Sequence, residues 1–180
     1  FFCMNRIFTI IISLLSVTAS LFIQAQTDPW IIKASQINPA EYYGITVANG
    51  MIGIVSAPAP FQIKDVVLAG AYDNYGRGRV SNFLRSFNLL NMNLDIDGKR
   101  MDAKSVTGFT QELDMKNARF TATFTYGDKA EVTYSYYSLR QLPFTVLMDV
   151  SIKAKKEIRI DAASVMEAPD ALRDVQNFYN

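Results

Sequence analysis

Two aspartates near the middle of the chain have a spacing that a cation site could use. Asp95 and Asp97 flank Ile96 and run into Gly98, and such a D-x-D-G pattern can supply carboxylate oxygens to calcium or a carboxyl pair to acid–base chemistry. An EF-hand loop needs further ligands and a closing glutamate, which do not follow here. Because aspartate is also common where a strand enters a turn, we favour a structural role for both residues and predict no metal site.

Two other groups of residues could bind a ligand. The glycine-rich segment that holds Arg77 and Arg79 could bind an anion through its guanidinium groups, although we favour a flexible connection with solvated charges. Tyr134, Tyr136 and Tyr137 could stack on sugar rings. Tyrosines at alternate positions of a strand are more often core residues and cross-strand partners, and we favour that interpretation.

The composition excludes several classes of function. The chain contains no histidine, which removes Ser-His and Cys-His nucleophiles and the commonest zinc sites. Its one cysteine, Cys3, cannot form a disulfide framework. There are 18 Lys and Arg against 17 Asp and Glu, so loss of Arg6 with a cleaved leader would leave a balanced charge. A neutral surface argues against nucleic acid as a partner. The sequence points to no cofactor and no catalytic residue.

The N-terminal segment predicts export. Met4-Asn5-Arg6 reads as a start with a short basic region, so residues 1–3 are expected to be spurious. An apolar stretch from Ile7 to Ile23 follows, and Ala25 suits a signal-peptidase site. The alternative is a membrane anchor, but the stretch is slightly short for a span of about 18 to 20 residues and lacks a basic stop-transfer cluster. We predict a signal peptide at 1–25, no stable membrane insertion after cleavage, and a periplasmic or extracellular protein.

The remainder, 26–180, has the alternation of an antiparallel β-sheet. Asn49-Gly50 between two apolar runs predicts a hairpin with a type I′ turn, and Asp97-Gly98 predicts a second turn. The predicted strands alternate apolar and polar residues or are apolar runs, and they cover 45–55, 65–72, 90–96, 120–126, 130–136, 144–152 and 158–162. Short strands at this spacing predict an all-β antiparallel sandwich or barrel, and we favour the sandwich. The first amphipathic helix is expected at 170–178, and the sandwich is expected to be incomplete at its C-terminal end.

Several segments resemble a known family in order and spacing. The segments similar to family motifs are Ala48–Ile54 (N-G-x-[LI]-G-[VI]), Ala69–Asp73 (A-G-x-[YF]-D), Leu90–Gly98 (a strand ending in I-D-G), Gln111–Met115 (R-x-L-D-[LM], with Gln for the usual basic residue) and the aromatic strand Val132–Leu139. In this order they resemble the start of glycoside hydrolase family 65, which includes maltose, trehalose and kojibiose phosphorylases and related α-glucoside hydrolases. The resemblance covers roughly residues 45–166.

The resemblance implies a fold and an activity. Such proteins open with a large supersandwich-like β-sandwich, followed by a linker and an (α/α)₆ barrel that supplies the catalytic glutamate. No barrel helix is expected within this chain, so the resemblance implies no catalytic residue in it. The sugar would be an α-linked glucoside or oligosaccharide bound through the missing catalytic domain, and the parent could be a homodimer. Export favours a hydrolase, since a phosphorylase needs retained phosphate and sugar phosphate.

Loops on a rigid β scaffold usually carry ligand contacts. If this domain borders the sugar site of a parent enzyme, the candidate substrate-binding residues are Asn49, Gly50, Tyr72, Asp73, Arg77 and Arg79. Two alternatives stay open: a free-standing exported carbohydrate-binding module that uses the tyrosines, and a structural or adhesion sandwich without a ligand.

Overall fold

The computed structural model describes residues 28–73, 82–168 and 175–177. These residues form thirteen strands and one short 3₁₀ turn at Pro39–Glu41. The strands are β1 (Ile31–Ala34), β2 (Thr46–Ala48), β3 (Ile52–Ser56), β4 (Ile63–Asp73), β5 (Asn82–Arg85), β6 (Asn88–Ile96), β7 (Lys99–Arg100), β8 (Thr107–Asp114), β9 (Arg119–Tyr126), β10 (Ala130–Ser138), β11 (Val146–Ala154), β12 (Ile160–Glu167) and β13 (Val175–Asn177). The all-β prediction is confirmed.

The strands form three sheets. One has the order β1-β8-β9-β10-β11, a second β12-β6-β7, and a third β13-β4-β3-β2 with β5 also paired to β4. Every pairing in the described chain is antiparallel. The inner face of the first sheet packs on the other two, which gives the predicted sandwich.

The alternating stretches form the strands that line the core. Along β9, every second residue from Phe120 to Tyr126 is buried while the threonines between them are half-buried. This is the period-2 pattern of a strand with one face on the core. The register of β9 against β10 places Phe120 opposite Tyr136 and Phe124 opposite Val132, so the inward residues of the two strands form one continuous apolar surface.

An aromatic cluster joins the two layers. Phe61, from the loop before β4, lies parallel to Tyr134 with ring centroids 4.5 Å apart and meets Phe124 edge-on at 5.8 Å. On the first sheet, Phe120 stacks on Tyr136 at 5.8 Å. Such offset and edge-on arrangements suit the quadrupoles of aromatic rings. Tyr134 and Tyr136 are 1% and 0% exposed, so the prediction that they are core residues is confirmed.

The two predicted turns differ in type. At Asp97-Gly98 both central residues have positive φ, 51° and 73°, which is the type I′ pattern. In the hairpin at Asn49-Gly50, the Asn49 N–H donates to the Ile52 carbonyl at 3.1 Å, so these two residues flank the turn. The central residues are therefore Gly50 and Met51. Gly50 has φ 90° and Met51 has no positive φ, so the turn has the type II′ pattern. The type I′ prediction is wrong for this hairpin.

The C-terminal region also differs from its prediction. Val175–Asn177 pair with Ala71–Asp73 as a strand, which contradicts a helix through these residues. The rest of the expected helix lies outside the described residues, and so does the predicted signal peptide at 1–25. Within the described ranges, no helix is long and apolar enough to cross a bilayer.

Candidate functional site

The side chain of Asn49 organises the β2–β3 turn. Its Oδ1 accepts hydrogen bonds from the backbone N–H groups of Met51 and Ile52, both at 2.9 Å. Asparagine is favoured before a turn because its side chain can bond to the backbone two or three residues on. These two hydrogen bonds satisfy both acceptor sites of Oδ1. Gly50 lies exposed at the tip of the turn.

Asn49 also ties this turn to the connection between β10 and β11, residues 139–145. Its Nδ2 donates to the carbonyl oxygen of Leu139 at 2.8 Å, and the Ser138 hydroxyl donates to the Val47 carbonyl at 3.2 Å. Leu139 N–H in turn bonds to the Thr145 carbonyl at 3.1 Å. Most of the hydrogen-bonding capacity of Asn49 is therefore used inside the protein, and its first role is to position two loops at one end of the sandwich.

Tyr72 and Asp73 lie at the same end. In the antiparallel pair β3–β4, Leu68 is opposite Ile52, so β4 continues past the Asn49-Gly50 turn to Asp73. Tyr72 pairs with Phe83 of β5 and with Gln176 of β13. The strand rise of about 3.3 Å per residue places Tyr72 roughly 13 Å beyond Leu68 along β4. Arg77 and Arg79 lie outside the described residues.

Two open depressions lie beside this turn. The smaller, of 280 Å³, includes Gly50, Met51 and Ala69 in its lining. The larger, of 490 Å³, runs between β4 and the start of β6 and β11, and its lining includes Leu68, Phe87 and Phe144. Both linings are mainly apolar. A monosaccharide presents many hydroxyls and needs several polar partners, so neither depression by itself has the chemistry of a sugar pocket.

The aspartates of the D-x-D-G pattern hold the turn together. Asp95 pairs with Arg100 across the hairpin, and Asp97 pairs with Lys129 and accepts from the N–H of Arg159 at 3.0 Å. These partners hold the pKa of both carboxyl groups below their usual range, chiefly through the hydrogen bonds from Arg100 and Lys129. Among the described residues no group of His, Cys, Asp or Glu is placed to hold a metal ion.

A buried polar network escaped the sequence interpretation. The Tyr42 hydroxyl bonds to Ser56 Oγ and to Gln111 Oε1, and Gln111 Nε2 donates to the Ala57 carbonyl at 2.8 Å. Burial raises the pKa of Tyr42, although the hydrogen bonds to Ser56 and Gln111 oppose the change. Gln111 alternates with Phe109 and Leu113, so a polar residue at a core position was the available signal. The network joins three segments and lies at the opposite end of β3 from the turn.

The fold defines a β-sandwich domain in which the Asn49-Gly50 turn and Tyr72-Asp73 lie at one end, without a carboxylate pair poised for catalysis among the described residues. The model of the glycosyl hydrolase family 65 N-terminal domain matches residues 44–168. The chain belongs to this family, and the resemblance noted from the motifs is confirmed.

Two curated relatives carry the same name. The chain is 66% identical over 170 residues to a kojibiose hydrolase of Mucilaginibacter mallensis, which covers 94% of this chain and 25% of the relative. It is 44% identical over 173 residues to a kojibiose hydrolase of Flavobacterium johnsoniae, covering 96% of this chain and 25% of that relative. The chain therefore spans about a quarter of the length of these relatives.

A solved structure shares the fold. It is named "Putative kojibiose phosphorylase from human microbiome", and it aligns with a TM-score of 0.58 at 15% identity over 76% of this chain and 21% of that one. At this identity the likeness supports the architecture alone.

Proposed function

We propose that this chain is the N-terminal, non-catalytic β-sandwich domain of an exported family 65 enzyme that hydrolyses α-glucosides, with kojibiose as the first substrate to test. The observation that carries the proposal is the 66% identity, over nearly the whole chain, to a protein named kojibiose hydrolase. In such an enzyme the domain would support folding, interdomain packing or dimerisation, and its loops at the Asn49-Gly50 turn would border the sugar pocket.

The electrostatics support a non-catalytic role. A general acid in glycoside hydrolysis needs a raised pKa so that it stays protonated at working pH. Among the described carboxyl groups with a shifted pKa, every shift is downward, chiefly because of hydrogen bonds from partners such as Arg100, Asn117 or Lys156. These carboxylates are held ionised, which supports a catalytic acid supplied by the remainder of the polypeptide.

Hydrolysis is favoured over phosphorolysis by the compartment. A phosphorolytic enzyme produces a charged sugar phosphate, which is useful where phosphate and product are retained. The segment 1–25 has the order of a signal peptide, and an exported enzyme would release its products outside the cytoplasm. Water is then the expected nucleophile, activated by a carboxylate on the face opposite the acid, and this arrangement inverts the anomeric centre.

The test is made on the full-length gene product. Purified enzyme is incubated with kojibiose, trehalose and maltose, with and without inorganic phosphate, while glucose and glucose 1-phosphate are measured and the first-formed anomer is followed by proton NMR. We expect phosphate-independent release of glucose, fastest from kojibiose, with β-glucose formed first. Turnover that requires phosphate would overturn the hydrolase proposal.

Export is tested separately. Residues 1–30 are fused to a mature alkaline phosphatase, which is active only after export, and expressed in a bacterium. We expect phosphatase activity, and we expect Leu14→Arg to abolish it because a charge interrupts the apolar stretch. The matched control Gln24→Arg places the same charge outside that stretch and should retain most activity. An inactive wild-type fusion would contradict export.

The alternative of a free-standing carbohydrate-binding module has less support. The module would stack sugars on the tyrosines of β10, but Tyr134 and Tyr136 are 1% and 0% exposed. A sugar cannot reach either ring without opening the core. The third, Tyr137, is half-buried and lies on the other face of the strand. Titration of the chain with kojibiose, monitored by tyrosine fluorescence, should give no saturable response.

A further inference from the structure

Asn49 is the only asparagine of the chain that is followed by a glycine. This dipeptide is open to self-modification, because glycine has no Cβ to shield its nitrogen and leaves the backbone free to rotate. The Gly50 nitrogen can attack the side-chain carbon Cγ of Asn49 and close a five-membered imide. Asn49 is half-buried and Gly50 is exposed, so water can reach the imide once it has formed.

This reaction needs no partner except water. A bond forms between Cγ of Asn49 and the Gly50 nitrogen, the Cγ–Nδ2 bond breaks, and Nδ2 leaves as ammonia with the proton that the Gly50 nitrogen gives up. Water then opens the imide at one of its two carbonyl carbons. Opening at Cγ gives aspartate in a normal chain, whereas opening at the main-chain carbonyl gives isoaspartate, whose backbone runs through Cβ.

The folded turn holds Asn49 away from the geometry of this attack. Ring closure requires Cβ and the Gly50 nitrogen to eclipse one another about the Cα–C bond of Asn49, whereas a chain leaving a strand is extended, with ψ of about +135°. Asn49 directly follows β2, and its N–H donates to the Ile52 carbonyl at 3.1 Å. Its Oδ1 accepts from the N–H groups of Met51 and Ile52, and these bonds break when Cγ turns toward Gly50.

The leaving group is held as well. Nδ2, the atom that departs as ammonia, donates to the Leu139 carbonyl at 2.8 Å. Leu139 is itself fixed, because its N–H bonds to the Thr145 carbonyl. One residue earlier, the Ser138 hydroxyl donates to the Val47 carbonyl of β2 at 3.2 Å. The β10–β11 connection therefore keeps the Asn49 amide in place, and the reaction requires the turn and this connection to separate.

We propose that Asn49 is a site of self-deamidation whose rate is limited by opening of the β2–β3 turn away from the β10–β11 connection. The closed turn is unreactive, so the rate is the open fraction multiplied by the rate of the unrestrained dipeptide. Either product lacks the donor to Leu139, and isoaspartate also lengthens the backbone of the turn by one atom. Deamidation thus uncouples the two loops permanently. This chemistry does not depend on which sugar the parent enzyme hydrolyses.

Peptide mass spectrometry of the full-length protein tests the site. The protein is incubated at mildly alkaline pH, either folded or unfolded in guanidinium chloride, then digested in acid, and the aspartate and isoaspartate forms at position 49 are quantified. Opening breaks several hydrogen bonds, so we expect the folded protein to react about a hundredfold more slowly than the unfolded chain. In guanidinium chloride, Gly50→Ala should slow the reaction because its methyl group shields the nitrogen. Equal rates in the two states, or no conversion of the unfolded chain, would overturn the proposal.

Two buried serines of β10 provide a matched test of the gate. Ser138 contacts β2 near the turn, whereas the Ser135 hydroxyl bonds to the Thr121 hydroxyl at 2.9 Å on the other face of the strand. In the folded full-length protein, Ser138→Ala should speed deamidation by about fivefold, the factor that corresponds to the net loss of one hydrogen bond. Ser135→Ala should leave the rate unchanged, and both variants should match the wild type when unfolded. Equal folded rates for the two variants would contradict gating by the β10–β11 connection.

Hydrogen exchange tests the consequence of the modification. Deamidated full-length protein carries one more negative charge and is separated from the unmodified protein by anion exchange. Peptides that cover 46–52 and 139–145 should exchange faster in the deamidated fraction, because the contact between the two loops is lost. Peptides from β9 should exchange alike in both fractions. Unchanged exchange in both loops would show that the modification does not uncouple them. None of these readouts depends on turnover, so they stand apart from the test of the hydrolase proposal.

Discussion

The hydroxyl of Tyr134 accepts a hydrogen bond of 3.1 Å from the backbone N–H of Phe61, a buried residue whose φ is 58°. Few large side chains occupy the left-handed region, and those that do are held there by their surroundings. The Phe61 carbonyl accepts from Met92 N–H at 3.1 Å, and its ring stacks on Tyr134. One tyrosine of the first sheet thus secures a strained loop of the other layer.

Removing this hydroxyl should weaken the domain. Tyr134→Phe leaves the Phe61 N–H buried without an acceptor, which costs about 1–3 kcal/mol of unfolding free energy. The control is Tyr136→Phe, whose hydroxyl donates to the Leu90 carbonyl at 3.2 Å and whose loss should cost about 1 kcal/mol. Urea unfolding followed by far-ultraviolet circular dichroism measures both. A smaller loss for Tyr134→Phe than for Tyr136→Phe would contradict the role of the Phe61 contact.

The buried tyrosines also predict sensitivity to alkali. Burial raises the pKa of Tyr134 and of Tyr136 above the ordinary value of 10.0. Because the folded pKa is raised, the contribution of each neutral hydroxyl to the free energy of unfolding is fully present below the unfolded pKa. It is lost as pH rises above about 10. Above that pH, each tyrosine lowers the free energy of unfolding by up to about 1.4 kcal/mol per pH unit.

The measurement is a series of urea titrations between about pH 8 and about pH 11. The double variant Tyr134→Phe, Tyr136→Phe should be less stable at neutral pH but should lose stability less steeply above about pH 10. This comparison removes the contribution of the lysines, which both proteins share. Identical slopes would show that these hydroxyls do not resist ionisation.

Substitutions at Asn49 can separate the acceptor role of its side chain from its donor role. Asn49→Ala removes the acceptor for two backbone N–H groups and the donor to Leu139, and should cost about 1–2 kcal/mol. Asn49→Asp keeps the acceptor but turns a carboxylate oxygen toward the Leu139 carbonyl in place of the donor, so its loss of stability reports the Leu139 contact. Chemical unfolding compares the two variants. In the full-length enzyme, a rise in KM for kojibiose at unchanged stability would instead indicate a direct sugar contact at Asn49.

Alanine substitutions at two glycines can distinguish the cost of backbone strain from the cost of steric crowding. Gly44 and Gly50 have φ of 87° and 90°, so alanine at either should cost about 1–2 kcal/mol. A Cβ at Gly50 would meet nothing within 4 Å, whereas one at Gly44 would lie 2.5 Å from Val55 Cγ1 and 2.8 Å from the Ser56 carbonyl oxygen. Gly44→Ala should therefore lower the thermal midpoint clearly more than Gly50→Ala. Equal midpoints would mean that β3 moves freely to accommodate the new methyl group.

The local signals in the sequence predicted local structure well. Alternation along β9 and β10 identified both strands and their buried faces, since a period of two depends on neighbouring residues alone. The same pattern identified Tyr134 and Tyr136 as core residues. The dipeptides Asn49-Gly50 and Asp97-Gly98 both marked hairpins, but the turn type also depends on which residues flank the turn. The Asn49 side chain caps Met51 and Ile52, which shifts the central pair by one residue.

The positions of some candidate residues in the fold could be predicted from the sequence, whereas their contact with a sugar stays a prediction. The order of the strands is enough to bring Asn49-Gly50 and Tyr72-Asp73 to one end of the sandwich once β3 and β4 are antiparallel. The hydrogen bond from Asn49 to the β10–β11 connection could not be predicted, because Leu139 lies 90 residues away in the chain. Arg77 and Arg79 stay predictions, as do export and the sugar itself.

The sequence by itself determined the class of the domain and its family, because alternation, turn dipeptides and motif order are all properties of short segments. Tertiary structure alone decided the pairing of β12 with β6, the left-handed Phe61 under Tyr134 and the exposure of Ile160 beside buried Ile96. Each of these depends on which distant strands become neighbours. Burial depends on which residues of other strands cover a side chain, so the difference between Ile96 at 0% exposure and Ile160 at 43% could not be predicted from the apolar pattern of either strand.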